Sequence, residues 1–331
     1  MLKPLLLASV LAIAAPAAAQ EVQAISAADK QLGARANPQL LAEFGGKYAG
    51  PQAAYVEQVG KRVAVQSGLS NAQSDFTVAL LDSPVENAFA IPGGYIYVTR
   101  QLLGIMNSEA ELASVMGHEV GHVAARHSSS RNRTSTIGSV LAAVVGAAAG
   151  NSTAGQLAGR AASGAAQLYS LKYGRDQEYA ADGLGVRYIT KAGYDPYAAA
   201  DMLAQLDAST SLNAEIKGGQ QGRLPSWAST HPNGPDRVRR AARLAEEAGR
   251  PMTEPPQDTA FLRRLDGLRF DAAESGRRIR IRTVRAGETI DTFARQMAYP
   301  DFKRERFVTL NALEDDQPLR AGMLVKVVTT G

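Results

Sequence analysis

The most informative stretch of the chain reads Ser114-Val115-Met116-Gly117-His118-Glu119-Val120-Gly121-His122-Val123. It holds two histidines four residues apart, with a glutamate directly after the first, in the pattern H-E-x-x-H. Side chains at this spacing lie on one face of a helix, one turn apart, so both imidazoles can reach a single zinc ion. Glu119 would lie beside that metal rather than on it, where it can accept a proton from the attacking water. The alternative is a buried helix with two incidental histidines, but two of the chain's four histidines fall in this motif.

The residues before the motif independently predict a helix. Ser108 followed by Glu111 has the sequence of a capping box. Apolar residues then recur at roughly helical spacing, so one side of the helix can pack into a core. These residues are Leu112, Val115, Met116, Val120 and Val123.

A second helix, predicted from Arg175 to about Gly193, carries two acidic residues on one face. A zinc peptidase takes its third ligand from elsewhere in the chain, and Glu178 would complete a set of two histidines and one glutamate. The fourth position would then stay open to water. Asp182, four residues later, could accept the free N–H of a ligand histidine and fix its tautomer. The alternative is an ordinary solvated acidic face.

Short strands are predicted before the motif helix, at residues 76–81, 87–91 and 95–99. Residues 25–67 have helical character, interrupted by Gly45-Gly46 and Gly50-Pro51. A small sheet before an H-E-x-x-H helix is the general layout of zinc peptidases. In that layout an exposed strand edge can hold an extended peptide across the metal by main-chain hydrogen bonds. Here the edge strand would contain Asn87, Ala88 and Phe89.

Four motifs occur in order along the chain: Asn87-Ala88-Phe89-Ala90-x-Pro92-Gly93-Gly94, His118-Glu119-x-x-His122, Arg175-x-x-Glu178-x-x-x-Asp182, and Ser229-Thr230-His231-Pro232 with Arg237. Together they resemble the motifs of the HtpX-like, BepA-like and CAAX-prenyl-protease-type zinc metallopeptidases, the gluzincins of family M48. The resemblance covers about residues 25–250. It implies that His118, His122 and Glu178 bind one zinc ion and that Glu119 is the general base. It also implies that His231 lies near the metal and stabilises the oxyanion, with Arg237 supporting that region.

The start of the chain is typical of a secretory signal peptide at residues 1–20. A short basic start precedes an apolar run from Leu5 to Ala15 and an A-x-A-type cleavage site at residues 17–19. The alternative, a retained membrane anchor, would need a longer apolar run. The absence of cysteine excludes disulfides and a lipid-modified N-terminal cysteine. We therefore expect a periplasmic protein that is not a lipoprotein, and a net charge of +4 is too mild to indicate nucleic acid as a partner.

Residues 134–168 differ in composition from the rest of the chain. They are rich in Gly, Ala and Ser, with no charged residue between Arg133 and Arg160. One interpretation is a close-packed helical hairpin inside the fold, because an apolar run as short as 137–149 is more often core than membrane. The other is a mobile lid over the active site, or a segment in transient contact with a membrane, because its glycines are costly in a helix.

The C-terminal region is predicted to form a separate unit. Residues 251–275, with Pro251 and Pro255-Pro256, are expected to be a linker with one short helix. Residues 276–331 are expected to form a strand, two helices and a closing strand. The segments Thr283-Val284-Arg285-Ala286-Gly287-Glu288-Thr289-Ile290, Leu310-Asn311-Ala312-Leu313 and Leu319-Arg320-Ala321-Gly322-Met323-Leu324 resemble a LysM module. Such modules bind glycans that contain N-acetylglucosamine, so peptidoglycan is an expected partner; the alternative is a degenerate module that only packs on the peptidase.

The sequence thus predicts an α+β protein with two parts. A mostly helical zincin-type peptidase domain with a small β-sheet would occupy residues 21–250, and a small βααβ domain would follow the linker. The expected function is that of a periplasmic zinc metalloendopeptidase acting on misfolded or envelope proteins. Two rivals are a zinc hydrolase that cleaves peptidoglycan and a wall-bound chaperone or scaffold whose zinc site stays closed.

Overall fold

The computed structural model of the chain describes residues 24–127, 173–216, 218, 226–231, 234–251 and 256–331. Two predicted features lie outside the described residues: the signal peptide at 1–20 and the hairpin, lid or membrane-contacting segment at 134–168. Within the described ranges, no helix is both long enough and apolar enough to cross a membrane.

Two helices begin the described chain, α1 (Ala27–Glu43) and α2 (Gln52–Ala64). The side chain of Ser26 accepts a hydrogen bond from the main-chain N–H of Asp29 at 3.1 Å and so caps α1. The predicted helical stretch 25–67 is divided at Gly45 and Gly46. Both of these glycines have positive φ, a conformation that glycine adopts without strain.

A three-stranded sheet lies next to these helices. It contains β1 (Thr77–Leu81), β2 (Ala88–Ile91) and β3 (Tyr95–Thr99) in the order β1–β3–β2. The strands fall where the sequence predicted them, with β1 parallel and β2 antiparallel to β3. Because side chains alternate between the two faces, the sheet is covered on both. Phe89 and Tyr97 pack towards α1, and Val78 and Val98 face the main core.

One short helix, α3 (Ala72–Asp75), lies between α2 and β1. The remaining helices of this part, among them those that carry the site, follow the sheet: α4 (Arg100–Ile105), α5 (Glu109–Ala124), α6 (Arg175–Lys191), α7 (Ala198–Ile216), α8 (Trp227–Thr230) and α9 (Pro235–Glu247). Helix α5 begins with the predicted cap, since the Ser108 side chain accepts the N–H of Glu111 at 3.1 Å. The Glu111 carboxylate reaches one residue further back than a standard capping box and accepts the N–H of Asn107 at 2.8 Å. The buried helix α5 packs along α6 over most of its length.

The C-terminal part has the predicted order of strand, helix, helix and strand. After α10 (Thr259–Arg264) come β4 (Arg277–Thr283), α11 (Ile290–Ala294), α12 (Lys303–Leu310) and β5 (Leu324–Thr330). The two strands pair in antiparallel register, with Arg277 opposite Thr330. The mixed helical fold with small sheets agrees with the predicted α+β class, whereas a relationship to LysM modules remains a prediction.

Residues 256–275 do not form the linker predicted at 251–275. Leu262, Leu265 and Leu268 are at most 2% exposed and belong to the same hydrophobic core as the peptidase helices. The side chain of Gln52 donates to the carbonyl of Arg264 at 2.7 Å. The prolines suggested a linker with one short helix, and that helix is α10, but leucines spaced three apart bury the segment against the core. This segment therefore packs the C-terminal part against the same core as the peptidase helices.

Candidate metal centre

Four buried side chains from three parts of the chain converge on one point. His118 and His122 project from α5, Glu178 projects from α6, and His231 directly follows α8. Each offers one ligand atom, and these atoms all lie within 4.8 Å of one another. The structure thus brings together the three residues predicted as metal ligands and the histidine predicted to lie near them.

The spacing of the convergent atoms fits a single zinc ion. Nε2 of His118 lies 2.9 Å from Nε2 of His122 and 3.2 Å from Nδ1 of His231. Oε1 of Glu178 lies 3.1 Å from Nδ1 of His231 and 3.5 Å from Nε2 of His122. Ligand atoms in a tetrahedral zinc site with bonds of about 2.0–2.1 Å are about 3.3 Å apart. Donor type, burial and spacing therefore all suit zinc, with His231 within ligand distance as well.

Glycines set how closely α5 and α6 approach. A Cβ atom on Gly117 would lie 3.0 Å from the carbonyl oxygen of Gly185, and one on Gly121 would lie 2.9 Å from the backbone of α6. Larger residues at these positions would push the helices apart, since only glycine permits such close contact. Each of these α5 glycines directly precedes a ligand histidine, so the contact brings Glu178 within reach of both. The sequence contains these glycines four residues apart, but this spacing alone did not predict their role.

Asp182 fixes the orientation of His118. Its Oδ1 lies 2.9 Å from Nδ1 of His118, and Arg237 makes two hydrogen bonds to the same carboxylate at 2.7 and 2.8 Å. Burial alone would raise the pKa of Asp182, but hydrogen bonds from His118 and Arg237 hold it below the ordinary value. The ionised carboxylate accepts the Nδ1 proton of His118 and leaves Nε2 available for a metal. These contacts place Asp182 where its predicted supporting role requires it, and the role itself stays a prediction.

Arg237 also serves Glu178. Its Nη1 lies 2.7 Å from Oε2 of Glu178, and the guanidinium is buried. Burial works against ionisation of Glu178, but His231 and His122 hold its pKa well below the usual range. Arg237 therefore pairs with two buried carboxylates at once.

Glu119 lies next to the four convergent groups without joining them. It is fully buried, and neither carboxylate oxygen has a well-aligned hydrogen bond within the described part of the chain. Oε1 of Glu119 lies 3.5 Å from Nε2 of His231. Burial raises the pKa of Glu119 to about 8, although the nearby His118 lowers it in part. A carboxylate in such surroundings is suited to accept a proton near neutral pH.

Two aromatic rings hold His231 between them. The Trp227 ring stacks on the imidazole at 4.2 Å, and the Tyr173 ring stacks on it at 5.1 Å. Tyr173 also stacks on His122 at 3.7 Å, and its main-chain N–H donates to the carbonyl of Thr230. These two aromatic residues fix the plane of the His231 ring. No local sequence pattern pointed to Tyr173, because its contacts join distant parts of the chain, and Trp227 was not singled out although it lies only four residues before His231.

Strand β2 lies at the edge of its sheet, beside Glu119. The main-chain N–H of Thr99 donates to the carbonyl of Asn87, so Asn87 and, two residues on, Phe89 direct their peptide groups towards β3. The peptide groups of Ala88 and Ala90 then point away from β3, and the Ala90 N–H is close enough to lower the pKa of Glu119 in part. Of the three predicted edge residues, only Ala88 offers its main chain outward.

Comparison with known proteins identifies the matching family and several relatives. The sequence profile described as Peptidase family M48 matches residues 51–245. The mitochondrial metalloendopeptidase OMA1 of Schizosaccharomyces pombe is 30% identical over 66% of this chain and 62% of its own length. The beta-barrel assembly-enhancing protease of Escherichia coli O157:H7 is 27% identical over 63% of this chain and 42% of its own. The mitochondrial metalloendopeptidase OMA1 of Homo sapiens is 25% identical over 53% of this chain and 33% of its own length. In each case the match spans less than two thirds of the relative.

Proposed function

Because this chain belongs to peptidase family M48, we propose that it is a zinc-dependent endopeptidase that hydrolyses peptide bonds of proteins. The observation that carries this proposal is the position of Glu119. It lies beside the convergent His118, His122 and Glu178, yet its carboxylate is not among the four groups that can hold the metal. This is the arrangement that a general base needs in order to act next to a metal rather than on it.

Zinc in this site would polarise the scissile carbonyl and lower the pKa of the attacking water. Glu119 accepts the proton of that water and then delivers it to the leaving amine. In the metal-free site burial raises the pKa of this carboxyl, so its carboxylate is a stronger base than that of an exposed glutamate. Asp182 and Arg237 keep His118 and Glu178 oriented during the reaction.

His231 lies close enough to serve either as a fourth ligand or as a donor to the oxyanion. A catalytic zinc site keeps one position open for water or substrate, and three protein ligands are enough to hold the ion. Nδ1 of His231 lies 3.1–3.2 Å from Nε2 of His118 and Oε1 of Glu178, so zinc held by all four groups would have no open position. We infer that His118, His122 and Glu178 would hold the ion while His231 donates an N–H to the oxyanion, the role that the resemblance to M48 peptidases implies for it.

The edge of β2 supplies a place for the substrate backbone. An extended peptide can add to a sheet edge by main-chain hydrogen bonds, and the outward peptide groups of Ala88 and Ala90 provide them. Such binding depends on the main chain of an extended peptide rather than on its side chains. Because unfolded or misfolded proteins offer extended segments, they are the proposed substrates. One similar protein is named for enhancing beta-barrel assembly. Together with the predicted signal peptide, this supports a role in the bacterial envelope, with the periplasm as the proposed compartment.

A test combines metal analysis with proteolysis of an unfolded protein such as casein. Glu119→Gln should retain one zinc ion per chain and lose hydrolysis, because the base is removed while every ligand stays. The wild type should cleave only when zinc is bound. Wild-type activity after complete removal of metal, or full activity in zinc-loaded Glu119→Gln, would overturn the proposal. Release of fragments from purified peptidoglycan, with no cleavage of casein, would favour the rival hydrolase.

A further inference from the structure

The one histidine outside the proposed zinc site, His127, lies directly behind the proposed ligand His122. Nδ1 of His127 is 2.8 Å from Nδ1 of His122, and the His127 side chain is 8% exposed. The two rings meet at a steep angle of 68°, with centroids 5.0 Å apart. This contact places a ring nitrogen of His127 next to Nδ1 of His122, the ring nitrogen that does not face the metal centre.

The backbone has to turn sharply to make this contact. Residues five apart on a continuous helix point in different directions, so His127 could not meet His122 if α5 ran on. Helix α5 ends at Ala124, and Arg126 adopts a φ of 54°, in the left-handed region that few residues other than glycine occupy. The Arg126 guanidinium donates to the carbonyl of Ala24 at 3.2 Å. The strained residue thus folds the chain back so that His127 reaches the ring of His122.

The direction of the hydrogen bond follows from the chemistry of the ligand. A neutral imidazole carries one ring proton, and a metal bound through Nε2 of His122 leaves that proton on Nδ1. His122 must therefore donate, and Nδ1 of His127 must accept. The proton of a neutral His127 then lies on Nε2. Metal binding at Nε2 of His122 thus fixes the tautomers of both rings.

The two ligand histidines have different kinds of partner. His118 donates to the Asp182 carboxylate, whereas His122 faces an imidazole. The centre already holds three buried carboxylates, Glu119, Glu178 and Asp182, against one buried guanidinium. A divalent zinc ion and this guanidinium would just balance the three carboxylates. A neutral acceptor behind His122 orients the ligand without adding a fourth negative charge.

We propose that His127 is a positioning residue that accepts the Nδ1 proton of His122 and holds the Nε2 lone pair of that ligand on the metal. The ring plane of His122 is fixed by Tyr173, which stacks on it at 3.7 Å, and His127 fixes its remaining freedom of rotation. The inference rests on the proposed zinc site. Partners of this kind affect metal affinity by about 10- to 100-fold in other proteins.

The test compares two substitutions in the full chain by competition for zinc with a chelator. His127→Phe keeps a ring of similar size and removes the acceptor, so zinc affinity should fall about 10- to 100-fold. His127→Asn places a carbonyl oxygen near the position of Nδ1 and should recover most of that affinity. The thermal unfolding midpoint of each metal-free variant shows whether packing has changed.

A second readout does not depend on any variant. The chain has four histidines, so nitrogen NMR of the zinc-loaded wild type can distinguish their tautomers. His127 should carry its proton on Nε2 and His122 on Nδ1. Equal zinc affinity in wild type and His127→Phe, or equal weakening by Phe and Asn, would overturn the inference, as would a proton on Nδ1 of His127. A wild type that binds no zinc at all would instead overturn the proposed function.

Discussion

Nζ of Lys326 lies 2.8 Å from the carbonyl oxygen of Met106, a residue 220 positions earlier in the chain. The same ammonium group donates to the carbonyl of Gly104 at 3.0 Å, and the lysine is fully buried in strand β5. These two carbonyls lie at the end of α4, just before the helix that carries the two ligand histidines. Nearby, the carboxylate of Asp258 accepts the N–H of Glu109 in the first turn of α5. The C-terminal part is thus fastened to the start of the metal-binding helix.

Replacement of Lys326 should therefore destabilise the whole fold. Lys326→Met fills similar volume but leaves the carbonyls of Gly104 and Met106 without their donor, at a cost of about 1–3 kcal/mol. Denaturant unfolding of the metal-free protein measures this change, with the exposed Lys191→Met as control. An unchanged free energy of unfolding in Lys326→Met would show that β5 does not brace α5.

Lys326 also gives the stability a pH dependence. Burial lowers its pKa from 10.5 to about 7 in the folded protein. Between these two values the unfolded chain binds a proton that the folded chain does not, so this lysine makes the free energy of unfolding rise with pH. The contribution is greatest above the unfolded value and is lost as pH falls towards 7. Unfolding measured from pH 7.5 to 9.5 should show this rise in the wild type and a smaller rise in Lys326→Met.

Much of the centre could be predicted from local sequence. His118 and His122 are four residues apart, and so are Glu178 and Asp182. Because this spacing is about one helical turn, the sequence is enough to place each pair on one face of its helix. The stacking of Tyr173 and the ammonium of Lys326 depend on tertiary packing between segments far apart in the chain, which no periodicity records. The linker was predicted from the prolines at residues 251–256. The leucines at 262, 265 and 268, spaced three apart, instead indicate a segment that packs into the core.

Glu178 should be required for zinc retention. In the proposed site His231 acts on the oxyanion, so Glu178→Ala leaves only His118 and His122 as ligands and should lose zinc during dialysis against a mild chelator. Asp176→Ala is the matched control, because this exposed carboxylate lies two residues earlier on the same helix. Zinc measured by atomic emission should stay near one per chain in the control. Equal retention in both variants would exclude Glu178 as a ligand.

Arg237 should matter for stability as well as for the site. Its guanidinium contacts Glu178 and Asp182 and is 4% exposed, so Arg237→Met leaves two buried carboxylates without their cation. Loss of one member of a buried ion pair costs about 3–5 kcal/mol. Arg237→Lys keeps the charge but not the paired hydrogen bonds, so its free energy of unfolding should lie between those of the wild type and Arg237→Met.

The control for Arg237 lies on the same helix. Arg239 pairs with Asp236 at the surface, with side-chain exposures of 62% and 76%. Exposed pairs contribute little, so Arg239→Met should change the free energy of unfolding of the metal-free protein by less than about 1 kcal/mol. A similar loss in both variants would mean that Arg237 contributes no more than a surface arginine.

His231→Phe separates a ligand role from a catalytic one. Phenylalanine can keep the stacking between Trp227 and Tyr173 while removing both ring nitrogens. The three remaining ligands should still hold zinc, so metal content after dialysis should match the wild type. Hydrolysis of casein by the zinc-loaded variant should fall by about 10²–10³-fold, the effect of removing one oxyanion donor. If the variant instead loses its zinc, His231 is a required ligand. The proposed role of His231 as the donor to the oxyanion is then wrong.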